Sequence, residues 1–470
     1  MKAMYVLAST LILTACGGGS GSGGSGAPSS SAPTVRFFAA DDGVNGKQLW
    51  KTNGTEAGTS MVKVINAGGN ADIEVLGSLG TKTVFLANDG IHGQELWVTD
   101  GTESGTTMLM DIHAGIDDNY VPSFAIAGNT FYFSAYDLVN KQELWKTDGT
   151  TAGTVLVKDI SAGPNSSNPT SLVAIGSNVF FSANDGISGY ELWTSDGSEA
   201  GTVMVKDIAA GAAYAQVSEM ISVDGVLYFK ANDGVNGFEL WKSDGTDSGT
   251  EMVKDINPGA GHSEPEKFVA MGGNVYFYAA ESIAQGRELW RTDGTAQGTY
   301  LVKDINTQVS NSNMNQSSAN IRYLHAVDDK LYFTARPVFG GTQEVWVSDG
   351  SEAGTLPLHT ASYLMVANDT VLFAGEDALY GQEMWTTDGT VAGTVLLKDF
   401  EPGAGGSDFY SLGEDYFHEN DVAPLVEVMP GVALIVGYRS DIGAELWKTD
   451  GTEAGTKLIK DINPDMADAF

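Results

Sequence analysis

Read for apolar and polar positions, the chain from residue 34 onward falls into short apolar or alternating runs, each closed by Gly, Asn or Asp. Residues 171–208, SLVAIGSNVFFSANDGISGYELWTSDGSEAGTVMVKDI, hold one full set. SLVAIG is a short apolar run ended by glycine. NVFFSAND is rich in β-branched and aromatic residues and ends in a turn signal, and YELWTSD and TVMVKDI are two further runs. No segment keeps a helical period long enough to count. The pattern predicts a four-stranded antiparallel meander, its strands named here inner, second, third and outer in chain order. Leu192 and Trp193 point to opposite faces of the third strand, and both being apolar means that both faces are covered.

The set recurs. Trp50, Trp97, Trp145, Trp193, Trp241, Trp290, Trp346, Trp385 and Trp447 are separated by 47, 48, 48, 48, 49, 56, 39 and 62 residues. A period near 48 residues matches a four-stranded propeller blade. A single meander cannot bury both of its faces; packing face to face around an axis does. The expected fold is therefore all-β, a β-propeller of nine repeats over residues 34–470. Nine blades are favoured; an eight-bladed ring with one stray unit and two smaller propellers are the alternatives, and a linear β-solenoid is the competing architecture. The first unit lacks an inner strand, since Thr34 leads directly into VRFFAADDG. Residues 466–470 of the tail NPDMADAF are expected to cross back and supply it, so closing the ring.

The phrase ELWKTDGTEAGTKLIKDI spans residues 445–462, with near-copies starting at Gln48, Glu95, Glu143, Glu191, Glu239, Glu288, Glu344 and Glu383. It resembles the bacterial ELWxxDGT-repeat proteins over residues 36–462. The resemblance implies a propeller-like secreted or surface protein and brings no catalytic motif.

Asp100, Asp148, Asp196, Asp244, Asp293, Asp349, Asp388 and Asp450 each lie three residues after a tryptophan, with Asn53 in the first copy, and Gly follows every time. An Asp or Asn side chain accepts backbone amides two residues ahead and Gly supplies positive φ, so these are expected to staple the third–outer hairpin rather than bind metal. The hairpin is similar to the Asp-box of sialidase-type propellers. Lys158, Lys206, Lys254, Lys303, Lys398 and Lys460 lie fifteen residues after the glutamate of their repeats. If Thr194 faces Val203, the same register sets Glu191 opposite Lys206, a cross-strand ion pair. Met110 and His359 replace the lysine in two copies.

The catalytic inventory is thin. None of His92, His113, His262, His325, His359 and His418 sits in a close Asp/His grouping, and no HExxH, GxSxG or DxDxDG occurs. No cofactor is expected beyond weak Ca²⁺ binding at the Asn88, Asn184 and Asn232 loops, which read first as Asx turns. The formal net charge of −35 repels nucleic acid and anionic lipid.

Cys16 is the lone cysteine, and LTAC follows the apolar run 4–13 behind Lys2. This resembles the bacterial lipoprotein signal: residues 1–15 a signal peptide, Cys16 lipidated as the sole membrane anchor, and residues 16–33 the anchor and a Gly/Ser-rich tether. Gly17 after the cysteine favours the outer membrane, on either face.

Loops of a meander alternate between two rims. One is nearly uniform and carries TDGTxxGT or a close variant of it. On the other, NDGxxG becomes ESIAQG at Glu281, RPVFGG at Arg336, EDALYG at Glu376 and YRSDIG at Tyr438, and residues 306–320 and 401–422 are insertions. Loops on a rigid scaffold are where binding resides. Arg336, Tyr380, Phe409, Tyr410, Tyr416, Phe417, His418 and Tyr438 are the candidate ligand-binding residues. The expected function is a lipid-anchored, non-catalytic envelope propeller that binds a protein or glycan on this rim. The alternative is a glycan-active enzyme, a glycosidase or lyase-like, with its site there. Oligomeric state is not legible.

Overall fold

A computed structural model of the chain describes residues 35–115, 121–310, 314–367, 369–400, 427–429, 432–439 and 442–464. Strands dominate these residues, and the one helix among them is the single turn Met314–Ser317. Unit four follows the expected order: inner strand Thr170–Ile175, second Asn178–Asn184, third Tyr190–Ser195 and outer Val203–Lys206, all antiparallel. Six such four-stranded sheets recur, and unit one has three strands, Arg36–Asp41, Lys47–Thr52 and Ser60–Lys63.

Units seven and eight depart from this order. The repeat calls for an outer strand, a connection at Thr360 to Ser362 and a new inner strand, but one twelve-residue strand, Leu356–Ala367, is both the outer strand of unit seven and the inner strand of unit eight. Three residues without glycine or asparagine do not reverse the chain. The strand instead passes from one partner to the next through a register irregularity between Ala361 and Tyr363.

The period-2 alternation places the two faces as expected. In unit four, Phe181 and Trp193 pack with Leu144, Val157 and Ile160 of unit three, while Phe180 and Leu192 pack with Phe229 and Trp241 of unit five. Face-to-face packing of successive meanders is the architecture of a β-propeller. Unit nine packs on unit one in the same way: Leu446, Ile459 and Ile462 share a cluster with Ala40 and Trp50. Lys448 Nζ donates to the Gly54 carbonyl at 3.0 Å and Lys460 Nζ to that of Thr59 at 3.1 Å. The tail 466–470 lies outside the described residues, as do Cys16 and the leader and tether of residues 1–33.

The expected Glu–Lys pair does not form. Thr194 does face Val203, but a bulge between Leu192 and Trp193 shifts the register, so Lys206 lies opposite Leu192. The same shift recurs between the third and outer strands of the other units. A one-residue slip sends each side chain to the other face. The lysine thereby reaches the next unit: Lys158 Nζ donates to the Thr202 carbonyl at 2.8 Å and lies 6.0 Å from the Trp193 ring centroid. Lys63 and Lys254 treat Thr106 with Trp97, and Thr299 with Trp290, alike. Where histidine replaces lysine, His359 takes the same place, its ring 4.3 Å from that of Trp385 in unit eight.

The eight hairpin aspartates each accept from the residue two ahead, as Asn53 does in unit one. Asp196 Oδ1 receives the Ser198 amide at 2.8 Å and its hydroxyl at 2.7 Å, and Gly197 between them sits at φ +86°. The hydroxyl, then the amide, holds the Asp196 carboxyl below its ordinary range. Among the described residues, no helix is long and apolar enough to cross a membrane.

Candidate functional site

The rim opposite these hairpins is built on the repeated glutamate. Freed from lysine, it turns inward and is buried. Glu239 accepts the Ile256 amide at 2.8 Å, the Asn257 amide at 3.3 Å, the Ser263 amide at 3.2 Å and the Ser263 hydroxyl at 2.7 Å. One carboxylate thus ties both ends of the crossover that leads from the outer strand to the next inner strand. Glu143 does the same with Ile160 and Ser167. Burial outweighs these bonds and pushes Glu191 and Glu239 up to about 7 and Glu288 up to about 9. In unit one Gln48 replaces the glutamate: its Oε1 accepts from Ile65 at 2.8 Å, and its Nε2 donates to Asn45, Asn66 and Gly69 carbonyls. In unit seven the continuous strand leaves no crossover to tie, and Glu344 is only partly buried.

The sequence-predicted site residues are scattered or undescribed. Phe409, Tyr410, Tyr416, Phe417 and His418 lie outside the described residues, and of Tyr438 only the backbone is described. Arg336 and Tyr380 occupy the second–third turns of units seven and eight. The Arg336 amide donates to Ala319, and the Tyr380 amide to Asp377 Oδ1 at 2.8 Å. The described parts of the insertion, 306–310 and 314–320, fold onto unit six: the Asn306 side chain donates to the Ser318 carbonyl at 2.8 Å and Ser317 Oγ to that of Ile283 at 3.0 Å. Its departure from the repeat is packing over a turn.

A cluster of rings stands instead on the same rim over units three to five. His113 and Tyr136 lie 4.9 Å apart with Lys141 Nζ 5.5 Å from the Tyr136 ring. Tyr190 and Tyr214 meet edge to face at 5.6 Å and 77°. Phe238 and His262 are 5.4 Å apart, with Lys230 Nζ 5.6 Å from the phenylalanine ring and 3.3 Å from Glu264. In unit six Arg287 pairs with Glu266 at 3.0 Å. Tyr190, Phe238 and Arg287 each open a third strand, and Tyr214 and His262 come from the crossovers beside them. Sequence reading missed this arc because each pair joins residues 23 or 24 apart. The available signal was the residue before the repeated glutamate, where Tyr190 and Phe238 stand in place of Gln94 and Gln142.

The Asn–Gly loops fold as Asx turns: Asn88, Asn184 and Asn232 each accept the glycine amide two ahead at 2.7 Å. Among the described residues, no three His, Cys, Asp and Glu side chains are placed to hold a metal ion. His325 is half-buried, and the loss of solvent around its ring pushes its pKa down to about 4.

No family model and no curated protein matches the chain. Solved structures with a propeller do. A puromycin hydrolase is similar at 12% identity and a TM-score of 0.42 over 74% of this chain and 55% of its own. A puromycin-hydrolyzing peptidase of Mycobacterium tuberculosis is similar at 13% identity and a TM-score of 0.39, over 73% of this chain and 52% of its own. The β-propeller domain of the Trilobed protease from Pyrococcus furiosus is similar at 13% identity and a TM-score of 0.34, over 70% of this chain and 98% of its own. The chain thus spans about half the length of the hydrolases it matches. These neighbours correct one expectation from sequence. The chain was read as a non-catalytic scaffold, and the propellers it resembles are parts of peptidases. The fold rests on the chain's own sheets, four-stranded antiparallel meanders packed face to face.

Proposed function

We propose that the chain serves peptide hydrolysis as the propeller that receives an extended polypeptide along the rim of units three to six. The observation that carries this reading is the arc of rings, His113 with Tyr136, Tyr190 with Tyr214 and Phe238 with His262, followed by the Arg287–Glu266 pair. Rings repeated once per unit on a rigid frame suit a chain that offers side chains at intervals, and aromatic residues contribute most where polypeptides are held. The share of this rim in hydrolysis is capture and orientation of the polypeptide. The test is fluorescence polarisation with labelled, unfolded, carboxamidomethylated lysozyme, with cleavage of the same polypeptide followed by gel. Micromolar binding lost in Phe238→Ala supports the reading; no binding, or binding untouched by that change, overturns it.

The finer architecture is part of the same proposal. Nine blades form one closed ring, supported by the Lys448–Gly54 and Lys460–Thr59 bonds and the shared core of units nine and one. The repeat phrase makes the chain an ELWxxDGT-repeat protein. Cys16 is lipidated and tethers the ring to the outer membrane of a bacterial envelope, supported by the LTAC motif.

A further inference from the structure

Beside the third strand, one crossover position has a structural duty. Its side chain accepts the amide of the residue just before the repeated glutamate, or before Gln48 in unit one. Asn70 Oδ1 accepts from Lys47 at 2.9 Å, Ser166 Oγ from Gln142 at 3.2 Å, His262 Nδ1 from Phe238 at 3.0 Å and Ser318 Oγ from Arg287 at 2.9 Å. In unit four the position is Tyr214, which makes no such bond. The residue is 53% exposed, and its ring stands edge to face on Tyr190, whose hydroxyl accepts from Asn168 at 2.8 Å. The site is also held in place. Gly189 at φ +79° lies so close beneath the crossover that a Cβ there would sit 1.8 Å from the Ala213 carbonyl oxygen and 2.7 Å from the Tyr214 ring. A residue that forgoes the repeat's cap while keeping an ordered, exposed ring is serving something other than the fold.

We infer that the Tyr190–Tyr214 pair is a subsite for a cationic side chain, arginine or lysine, of the bound polypeptide; this rests on the function proposed above. Charge selects the occupant. The chain carries a formal net charge of −35. The two segments that frame the pair hold Asp207 and Asp185, each already folding its own loop through backbone amides. Tyrosine faces attract cations through the ring quadrupole, and a negative surrounding field strengthens capture of a cationic chain. A carboxylate-rich or nucleic-acid ligand is repelled by the same field.

The test uses two fluorescein-labelled peptides, one of four Gly-Ser-Arg repeats and one of four Gly-Ser-Gln repeats, titrated by polarisation against the whole chain. Wild type is expected to prefer the arginine peptide. Tyr214→Asn, which installs the cap that Asn70 provides in unit one, is expected to melt no lower than wild type yet bind the arginine peptide about tenfold more weakly. Tyr214→Phe keeps the ring and is expected to bind as wild type. If wild type holds both peptides equally, or Tyr214→Asn binds the arginine peptide as tightly as wild type, the cation subsite is wrong. The polypeptide reading still stands if Phe238→Ala weakens both peptides. If wild type binds neither peptide nor unfolded lysozyme, the polypeptide reading itself fails and the subsite with it.

Discussion

Glu288→Gln isolates the buried carboxyl that ties the unit-six crossover. Glu288 is 2% exposed, receives the Ile305 amide at 2.7 Å, and burial, outweighing that bond, pushes its pKa up to about 9. In an unfolded chain a glutamate titrates near 4.3. Between these values the folded state holds a proton that the unfolded state has lost. The contribution to stability is therefore complete at pH 4 and falls as pH rises through the folded pKa. One proton corresponds to about 1.4 kcal/mol per pH unit, so the loss from pH 7 to pH 9 is about 2.7 kcal/mol at most. With an unfolding entropy of about 2.1 cal/mol/K per residue over some 430 residues, that is about 3 °C in Tm. Gln48 shows that an amide fits the repeat position with both its atoms bonded. Differential scanning calorimetry at pH 7 and pH 9 is the assay. Wild type is expected to lose about 3 °C more than Glu288→Gln between the two. Parallel Tm-against-pH lines would refute a protonated Glu288.

Other outcomes follow from packing and strain. Phe229→Ala empties a fully buried site between units four and five and is expected to cost about 3–5 kcal/mol in urea unfolding. Gly189→Ala puts a Cβ into the Ala213 carbonyl at positive φ; it is expected to abolish binding of the arginine peptide and to raise proteolysis at residues 209–217, and unchanged binding would sink the placement of that crossover. Cys16→Ser is expected to leave the protein in the aqueous phase of a detergent partition; continued recovery with membranes would argue against the cysteine as the anchor.

The repeat made much of this fold legible. Nine tryptophans at near-equal spacing, with an apolar residue before each, revealed sheets buried on both faces, and Leu192 and Trp193 do pack against opposite neighbours. The hairpin aspartates were legible because an Asx turn is written within three residues. Bonds that depend on register were not. A bulge after Leu192 is invisible in a periodic pattern, yet it separates Glu191 from Lys206, buries one in the crossover and sends the other to the next unit. The passage at Ala361 is hidden because the repeat writes an outer and an inner strand as separate runs. The arc of rings was hidden for a related reason: Tyr190 meets Tyr214, and Phe238 meets His262, only once the crossover has been folded back and tied.

The central claim is that one rim, over units three to six, takes an extended polypeptide. Hydrogen–deuterium exchange of the whole chain, with and without saturating unfolded carboxamidomethylated lysozyme, tests it most directly because the two rims report separately. The account predicts slower exchange at residues 136–142, 185–191, 209–217, 233–239 and 257–265, and no change at the hairpins 148–154, 196–202 and 244–250 on the opposite rim. Protection confined to those hairpins, or none on either rim at saturation, would contradict it.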